Sequence, residues 1–206
     1  MFYETADNRH GLPHDPFKAL VAPRPIGWIS TRSTAGAVNL APYSYFNAVS
    51  DRPKLVMVSS AGMKDTVSFA IESGEFVANL ATSDLAEAMN RSSAPAARGE
   101  SEFIVAGLTE APCKLVAAPR VAESPAALEC KVTEWFRPKG LDGAPSDNVM
   151  LLGQVVGIHI DERILKDGRI DLSLARPLSR LGYLDYAAVA EVFAMPRPKL
   201  PDASDL

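Results

Sequence analysis

Apolar positions along this chain fall in short runs, most with the two-residue period of a strand and a few with the three-to-four-residue period of a helix. "PIGWIST" (25–31), "AVNLAPYSYF" (37–46) and "KLVMVSS" (54–60) predict three strands, with a hairpin turn across Arg32 to Gly36 and a second break at Ser50 to Pro53. "EFVANLA" (75–81) predicts a buried strand. "AALECKVTEWF" (126–136) sets Ala127, Glu129, Lys131 and Thr133 on one face and the more apolar Leu128, Cys130, Val132 and Glu134 on the other. "NVMLLGQVVGIHI" (148–160) predicts one long buried strand.

Three helices interrupt these runs. "KDTVSFAIESG" (64–74) has Asp65 as a candidate cap, Val67, Ala70 and Ile71 on one face and Gly74 as a stop. "SDLAEAM" (83–89) opens with Asp84 and Glu87 in the manner of a capping box, and "SEFIVAGL" (101–108) predicts a third short helix. "NRSSAPAARGE" (90–100) and "RPKGLDGAPSD" (137–147) predict loops, "KDGRID" (166–171) a tight turn, and "RPLSRLGYLDYAAV" (176–189) a return toward the core. About six strands with short helices between them predict a mainly β fold: a closed or partly closed antiparallel barrel, in which closure removes exposed strand edges. No repeat is present, so the 206 residues are expected to form a single domain.

Composition narrows the function classes. The net charge of −4 offers no broad attraction to nucleic acid or anionic lipid, and no run approaches the roughly 20 apolar residues of a membrane span. The start, "MFYETADNRHGLPHDP", lacks the apolar stretch of a secretion signal, so a soluble, cytoplasmic protein is expected. Cys113 and Cys130 form no C-x-x-C pair and are expected to be reduced. His10 and His14 stand four apart, but Gly11 and Pro13 intervene and no third ligand is near, so a flexible arm is expected there rather than a metal site.

The usual nucleotide and hydrolase signatures, G-x-x-x-x-G-K-[ST], G-x-G-x-x-G, G-x-S-x-G and H-E-x-x-H, are absent. "SSAGMKDT" (59–66) is a strand-to-helix junction in which exposed amides, the helix dipole, hydroxyls and Lys64 suit an anion such as phosphate. The same pattern also serves as an ordinary connection. Tyr43, Ser44, Tyr45, Phe46 and Asn47 crowd aromatics and hydrogen-bonding groups into a stretch that either fills a core or meets a flat heterocycle, whose edge needs hydrogen bonds and whose face needs apolar contact.

In order and spacing, "RPIGWIST", "AVNLAPYSYFNAVSDRPKLVMVSS", "KDTVSFAIESGEFVANL", "LLGQVVGIHI" and "RPLSRLGY" resemble the flavin reductase-like domain family, the FMN-binding split-barrel flavoproteins, over about 16–186. The resemblance implies a six-stranded Greek-key split barrel, a homodimer, and FMN held noncovalently near the dimer interface, with terminal arms such as that of Phe193 contributing to the pair. Carried over, Ser44, Tyr45, Phe46 and Asn47 lie along the isoalloxazine; Ser59, Ser60, Lys64 and Thr66 surround the phosphate; Arg24 and Trp28 line the pocket; and Arg98, with Gly99, reaches ribityl or phosphate. Ala48 and Gly182 leave the ring face open, or Tyr183 covers it. Many NAD(P)H-using members have a His where Asn148 stands; Asn148 and His159 are the two candidate catalytic positions, with a buried structural role as the other reading of His159. The function implied is an NAD(P)H:flavin reductase or close relative passing electrons to a small acceptor. A noncatalytic FMN carrier fed by a partner protein and a pyridoxamine-phosphate oxidase-like barrel with another ligand are the alternatives.

Overall fold

The computed structural model describes residues 1–94 and 101–198. A helical turn α1 (Phe17–Leu20) precedes β1 (Arg24–Pro25), β2 (Gly27–Arg32), β3 (Val38–Tyr43), β4 (Phe46–Asp51), β5 (Lys54–Ala61), α2 (Asp65–Ser73) and β6 (Glu75–Leu80). Next come α3 (Ala86–Arg91), α4 (Glu102–Ala106), β7 (Glu110–Ala111), β8 (Arg120–Val121), β9 (Ala126–Phe136) and β10 (Asn148–Ile160). The chain continues through β11 (Leu165–Lys166), β12 (Arg169–Ile170), α5 (Leu172–Ala175), β13 (Leu178–Arg180) and β14 (Tyr186–Ala188).

Seven strands form one antiparallel sheet in the order β3-β2-β6-β9-β10-β5-β4. Its two edge strands, β3 and β4, are consecutive in the chain and separated only by Ser44 and Tyr45. In a flat sheet those edges would stand roughly 29 Å apart, at about 4.8 Å per strand, far beyond the reach of a two-residue link. The sheet therefore curls on itself into a split barrel, its seam crossed at the corner Tyr43–Phe46. The expected count of six becomes seven because "AVNLAPYSYF" breaks at this corner: Tyr43 still pairs with Gly27, whereas Phe46 already pairs with Val58.

The barrel interior holds Ile29, Val58, Phe76, Cys130, Val149 and Leu151, with Val67 and Ala70 of α2 packed against them. A second apolar cluster, with Trp28, Leu40, Met89, Phe103 and Val121, covers the other face of β2 and β3 beneath α3 and α4. Strand β2 is thus buried on both sides, and its burial is nearly unbroken from Gly27 to Thr31 although Ser30 and Thr31 are polar. Strand β10 departs from expectation: its first half alternates between interior and partly exposed positions, but Val156, Ile158 and Ile160 are exposed.

Local signals explain most boundaries. Gly74 ends α2 in the left-handed region (φ 74°), Ser101 accepts a hydrogen bond from Phe103 N at the start of α4, and Asp167-Gly168 (φ 51° and 72°) turns β11 into β12. Two expected caps are corrected. Lys64, not Asp65, occupies the N-cap of α2, and no side chain caps it. Asp84 and Glu87 form no capping box, because Ser83–Leu85 is a 3₁₀ turn and α3 begins only at Ala86, again without a side-chain cap.

Candidate functional site

Two cavities open beside the β3–β4 corner. The first, of 520 Å³, lies at the N-terminus of α2 and is lined by Asn39, Tyr43, Lys64, Thr66, Ser92 and Ser93 among others. With Lys64 extended (φ −87°, ψ 171°) and no side chain capping the helix, the first-turn amides and the positive end of the helix dipole are left to meet an anion. Lys64 is exposed and joins no ion pair among the described residues. Thr66 is nearly fully buried and its hydroxyl donates to Asn39 Oδ1. Asn39 Nδ2 in turn donates to Glu102 Oε1 at 3.1 Å. The Thr66 hydroxyl is thus already engaged within the scaffold and is not left free to donate to a ligand, contrary to expectation.

The second cavity, of 510 Å³, collects Arg24, Ser44, Tyr45, Phe46, Asn47 and Ser59, with Met57 and Met150 as apolar wall. Ser59 N donates to Tyr45 O at 2.8 Å, which pins the corner to β5. Asn148 Nδ2 donates to Ser59 Oγ at 2.9 Å, so one candidate catalytic residue touches the candidate binding wall. A Cβ at Gly27 would lie 2.5 Å from Phe46 Cγ, so this glycine is what allows the ring to lie against β2. Arg24 faces the cavity, but its guanidinium is taken up by the carbonyls of Lys18, Val21 and Leu181, which it ties together along the rim.

Other expectations are corrected. Ser60 shares the inward phase of Val56 and Val58 and is fully buried, so strand alternation sends Ser59 and Ser60 to opposite faces, and only Ser59 lines the second cavity. Trp28 is fully buried and its Nε1 donates to Ser92 Oγ at 2.9 Å; its side chain is core, not pocket lining. Gly182 does not leave open space, because a Cβ there would lie 2.5 Å from Ala19 Cβ. Ala48 lines a different cavity, on the β4–β5–β10 side. Tyr183 (φ 55°) is half exposed, with its ring 5.6 Å from that of His14, and lines neither cavity of this protomer. Arg98 and Gly99 lie outside the described residues.

His159 is separated from this region. It stands at the far end of β10 from Asn148, eleven residues away in an extended strand, or roughly 36 Å, so the two do not share one site in this chain. His159 Nε2 lies 2.6 Å from Glu129 Oε1. Glu129 is buried and also accepts from Lys114 N (2.9 Å), Leu115 N (2.6 Å) and Val116 N (3.1 Å). Burial pushes the Glu129 carboxyl upward, but the Lys114 and Leu115 amides and His159 outweigh it and hold the group below the ordinary carboxylate range. Both cysteines are free thiols. Burial raises Cys130 to about 12, and burial with the adjacent Glu129 charge raises Cys113 to about 11.

Sequence reasoning overlooked Asn39, Ser92, Met57 and Met150. The first and third had a readable signal: Asn39 is two residues from Ala41 and four from Tyr43 on one face of β3, and Met57 is two from Ser59 on one face of β5. Ser92 and Met150 reach their places only through tertiary folding.

Residues 20–179, which carry both cavities' strands, match the family model described as flavin reductase like domain. The chain belongs to this family. An uncharacterised protein of Halalkalibacterium halodurans is 39% identical over 185 residues, covering 87% of this chain and 88% of that protein. The crystal structure of nitrilotriacetate monooxygenase component B from Bacillus cereus superposes with a TM-score of 0.83 at 33% identity, covering 95% of this chain and 98% of the other. That of 2-nitrobenzoate 2-nitroreductase from Pseudomonas fluorescens gives 0.83 at 26% identity, covering 98% and 100%. Among the described residues no helix is long and apolar enough to cross a membrane.

Proposed function

We infer that this flavin reductase-like chain binds FMN and acts as an oxidoreductase of the flavin reductase type, taking electrons from NADH or NADPH and passing them to a small acceptor. The observation that carries this reading is the corner Tyr43–Phe46 set between two open cavities, one with an anion-receptive helix terminus and Lys64, the other with an apolar wall edged by Ser44, Asn47 and Ser59. This donor set fits a ligand that joins a phosphate to a flat heterocycle.

In this reading Lys64 and the first-turn amides of α2 hold the phosphate, while the corner backbone and the Ser44, Asn47 and Ser59 side chains orient the ring edge. When bound, FMN supplies the capacity to accept a hydride and release electrons. Asn148 keeps the Ser59 hydroxyl fixed at that edge, and a neutral amide there donates a hydrogen bond without moving a proton. Arg24 keeps the rim closed against α1 by bonding its carbonyls. The nitroreductase and monooxygenase-component neighbours support redox chemistry with a small acceptor.

Anaerobic mixing of the oxidised flavin-loaded protein with NADH or NADPH is expected to bleach the flavin absorbance. Bleaching by dithionite alone would favour the carrier reading, which the amide at position 148 would then explain. FMN is expected to bind far more tightly than riboflavin. Lys64→Ala should weaken FMN by about 1.5–2 kcal/mol, the cost of one charge-assisted bond, while leaving riboflavin unchanged. Titration showing equal affinity for both flavins would remove the phosphate assignment.

We also place this chain in a homodimer. Trp135 and Phe136 at one end of the β9–β10 pair, Ile158 and Ile160 at its other end, and Phe193 in the C-terminal stretch are exposed or partly exposed large apolar side chains. Apolar surface of this kind is more often covered than left in water. Sedimentation velocity should give twice the chain mass, and a monomer that binds FMN tightly would overturn the assignment.

A further inference from the structure

Cys113, Glu129 and His159 meet at the end of β9 and β10 remote from Asn148 and Ser59, with one donor atom of each lying within 4.8 Å of the other two. We propose that this trio is a binding site for a single divalent cation of the zinc class. The inference is independent of the flavin reading.

Thiolate, imidazole and carboxylate are the three side-chain ligands that zinc takes, at about 2.3, 2.0–2.1 and 2.0–2.2 Å respectively. Those lengths place tetrahedral ligand atoms roughly 3.3–3.6 Å apart. The His159–Glu129 contact of 2.6 Å would therefore open by roughly 0.7 Å, and Cys113 Sγ, at most 4.8 Å away, would close by about an ångström. The scaffold permits such an adjustment. Glu129 is anchored by three backbone amides, whereas Cys113 lies between β7 and β8 outside regular structure, where a rotamer change or small loop shift suffices.

Charge favours the cation. A buried carboxylate and a deprotonated thiol together balance a doubly charged ion, with neutral imidazole as the third ligand. On binding, the Cys113 proton leaves to solvent; His159 coordinates through Nε2, the nitrogen now facing Glu129, and keeps its ring proton on Nδ1. Without a cation, burial first and the neighbouring Glu129 carboxylate second hold the thiol at about 11; a cation between them would reverse the charge contribution. Cys113 also lines a 400 Å³ cavity with Arg32 and Glu110, which gives its side of the trio a path to solvent.

The test uses the full-length protein as purified, its thiols kept reduced, dialysed against a chelator and titrated with Co²⁺. Difference spectra should show a thiolate-to-cobalt charge-transfer band saturating at one ion per chain and displaced by Zn²⁺. Cys130→Ser should keep the band, Cys113→Ser should lose it, and His159→Gln should weaken binding at least tenfold. Should Cys113→Ser fail to fold, thiol modification of the wild-type protein decides: Zn²⁺ must slow labelling of Cys113 severalfold. No charge-transfer band, a band that survives in Cys113→Ser, or labelling indifferent to Zn²⁺ would each overturn the site.

Discussion

Replacing Glu129 with Ala is expected to cost about 4 kcal/mol of folding stability, because three backbone amides and an imidazole lose their common acceptor in one step. Each buried donor left without a partner costs about 1–3 kcal/mol, and the sum is reduced where Leu115, itself exposed, lets water reach the loop. Denaturant unfolding at pH 7 reads the difference directly; a loss below about 1 kcal/mol would mean that the 114–116 loop does not depend on this carboxylate. The pH dependence has a defined sign. The folded Glu129 carboxyl is held below its unfolded value of about 4.3, so its contribution is complete above that pH and is lost as pH falls through the lower folded value. The gap in stability between wild type and Glu129→Ala should therefore begin to narrow only below about pH 4.

Glu129 also marks where the sequence stopped being informative about the fold. Alternation in "AALECKVTEWF" put it on the more polar face, and that face is indeed exposed from Lys131 onward. At Ala127 and Glu129, however, residues 113–118 pack over the same face, bringing Val116 and Ala118 onto Ala127. A two-residue period states which side chains share a face; it does not state whether another part of the chain covers that face. The same limit explains β10, whose apolar run was read as wholly buried although Ile158 and Ile160 are exposed. The barrel itself was legible because its strands, turns and glycine stops are local signals. The corner at Ser44–Tyr45 was not, because nothing local distinguishes a strand that bends from one that continues.

For the candidate site, the segments grouped from the sequence do gather beside one corner of the barrel, but not all of their side chains face the same cavity. Ser44 to Asn47, Ser59 and Arg24 do converge on one cavity, and Lys64 and Thr66 on another beside it. Strand alternation turns Ser60 away from the face of Ser59, and Trp28, four residues beyond Arg24, packs into the second apolar cluster instead of the cavity. Thr66 spends its hydroxyl on Asn39, and Arg24 spends both terminal guanidinium nitrogens on the Lys18, Val21 and Leu181 carbonyls, leaving only its buried Nε without a partner. Composition and order suggest which residues gather at one cavity; the hydrogen-bond partners show which of their polar groups are already engaged.

Gly153→Ala is expected to destabilise the fold by about 3 kcal/mol, the upper part of the range for inserting a methyl group into a packed interior. The added Cβ would lie 2.5 Å from both Cε1 and Cζ of Phe76 and 3.2 Å from Cys130 Cβ. Phe76 is fully buried in the barrel among Ile29, Val58 and Leu151, so its ring has no exit, and the strain must spread into β10 at the point where its register against β9 already shifts, between Leu152 and Gly153. The glycine is needed for space and not for backbone freedom, since its φ does not fall in the left-handed region. A smaller ring partner should therefore relieve the strain: Phe76→Leu in the Gly153→Ala background should unfold at higher denaturant than the sum of the two single losses allows, a coupling on the order of 1 kcal/mol. Gly157→Ala on the same strand meets Glu129 Cδ and Leu115 Cδ1 only at 3.3 Å, a contact that small side-chain shifts relieve, and should cost clearly less. Strict additivity of the Phe76 and Gly153 substitutions, or equal losses at 153 and 157, would show that Gly153 is not there to seat the Phe76 ring.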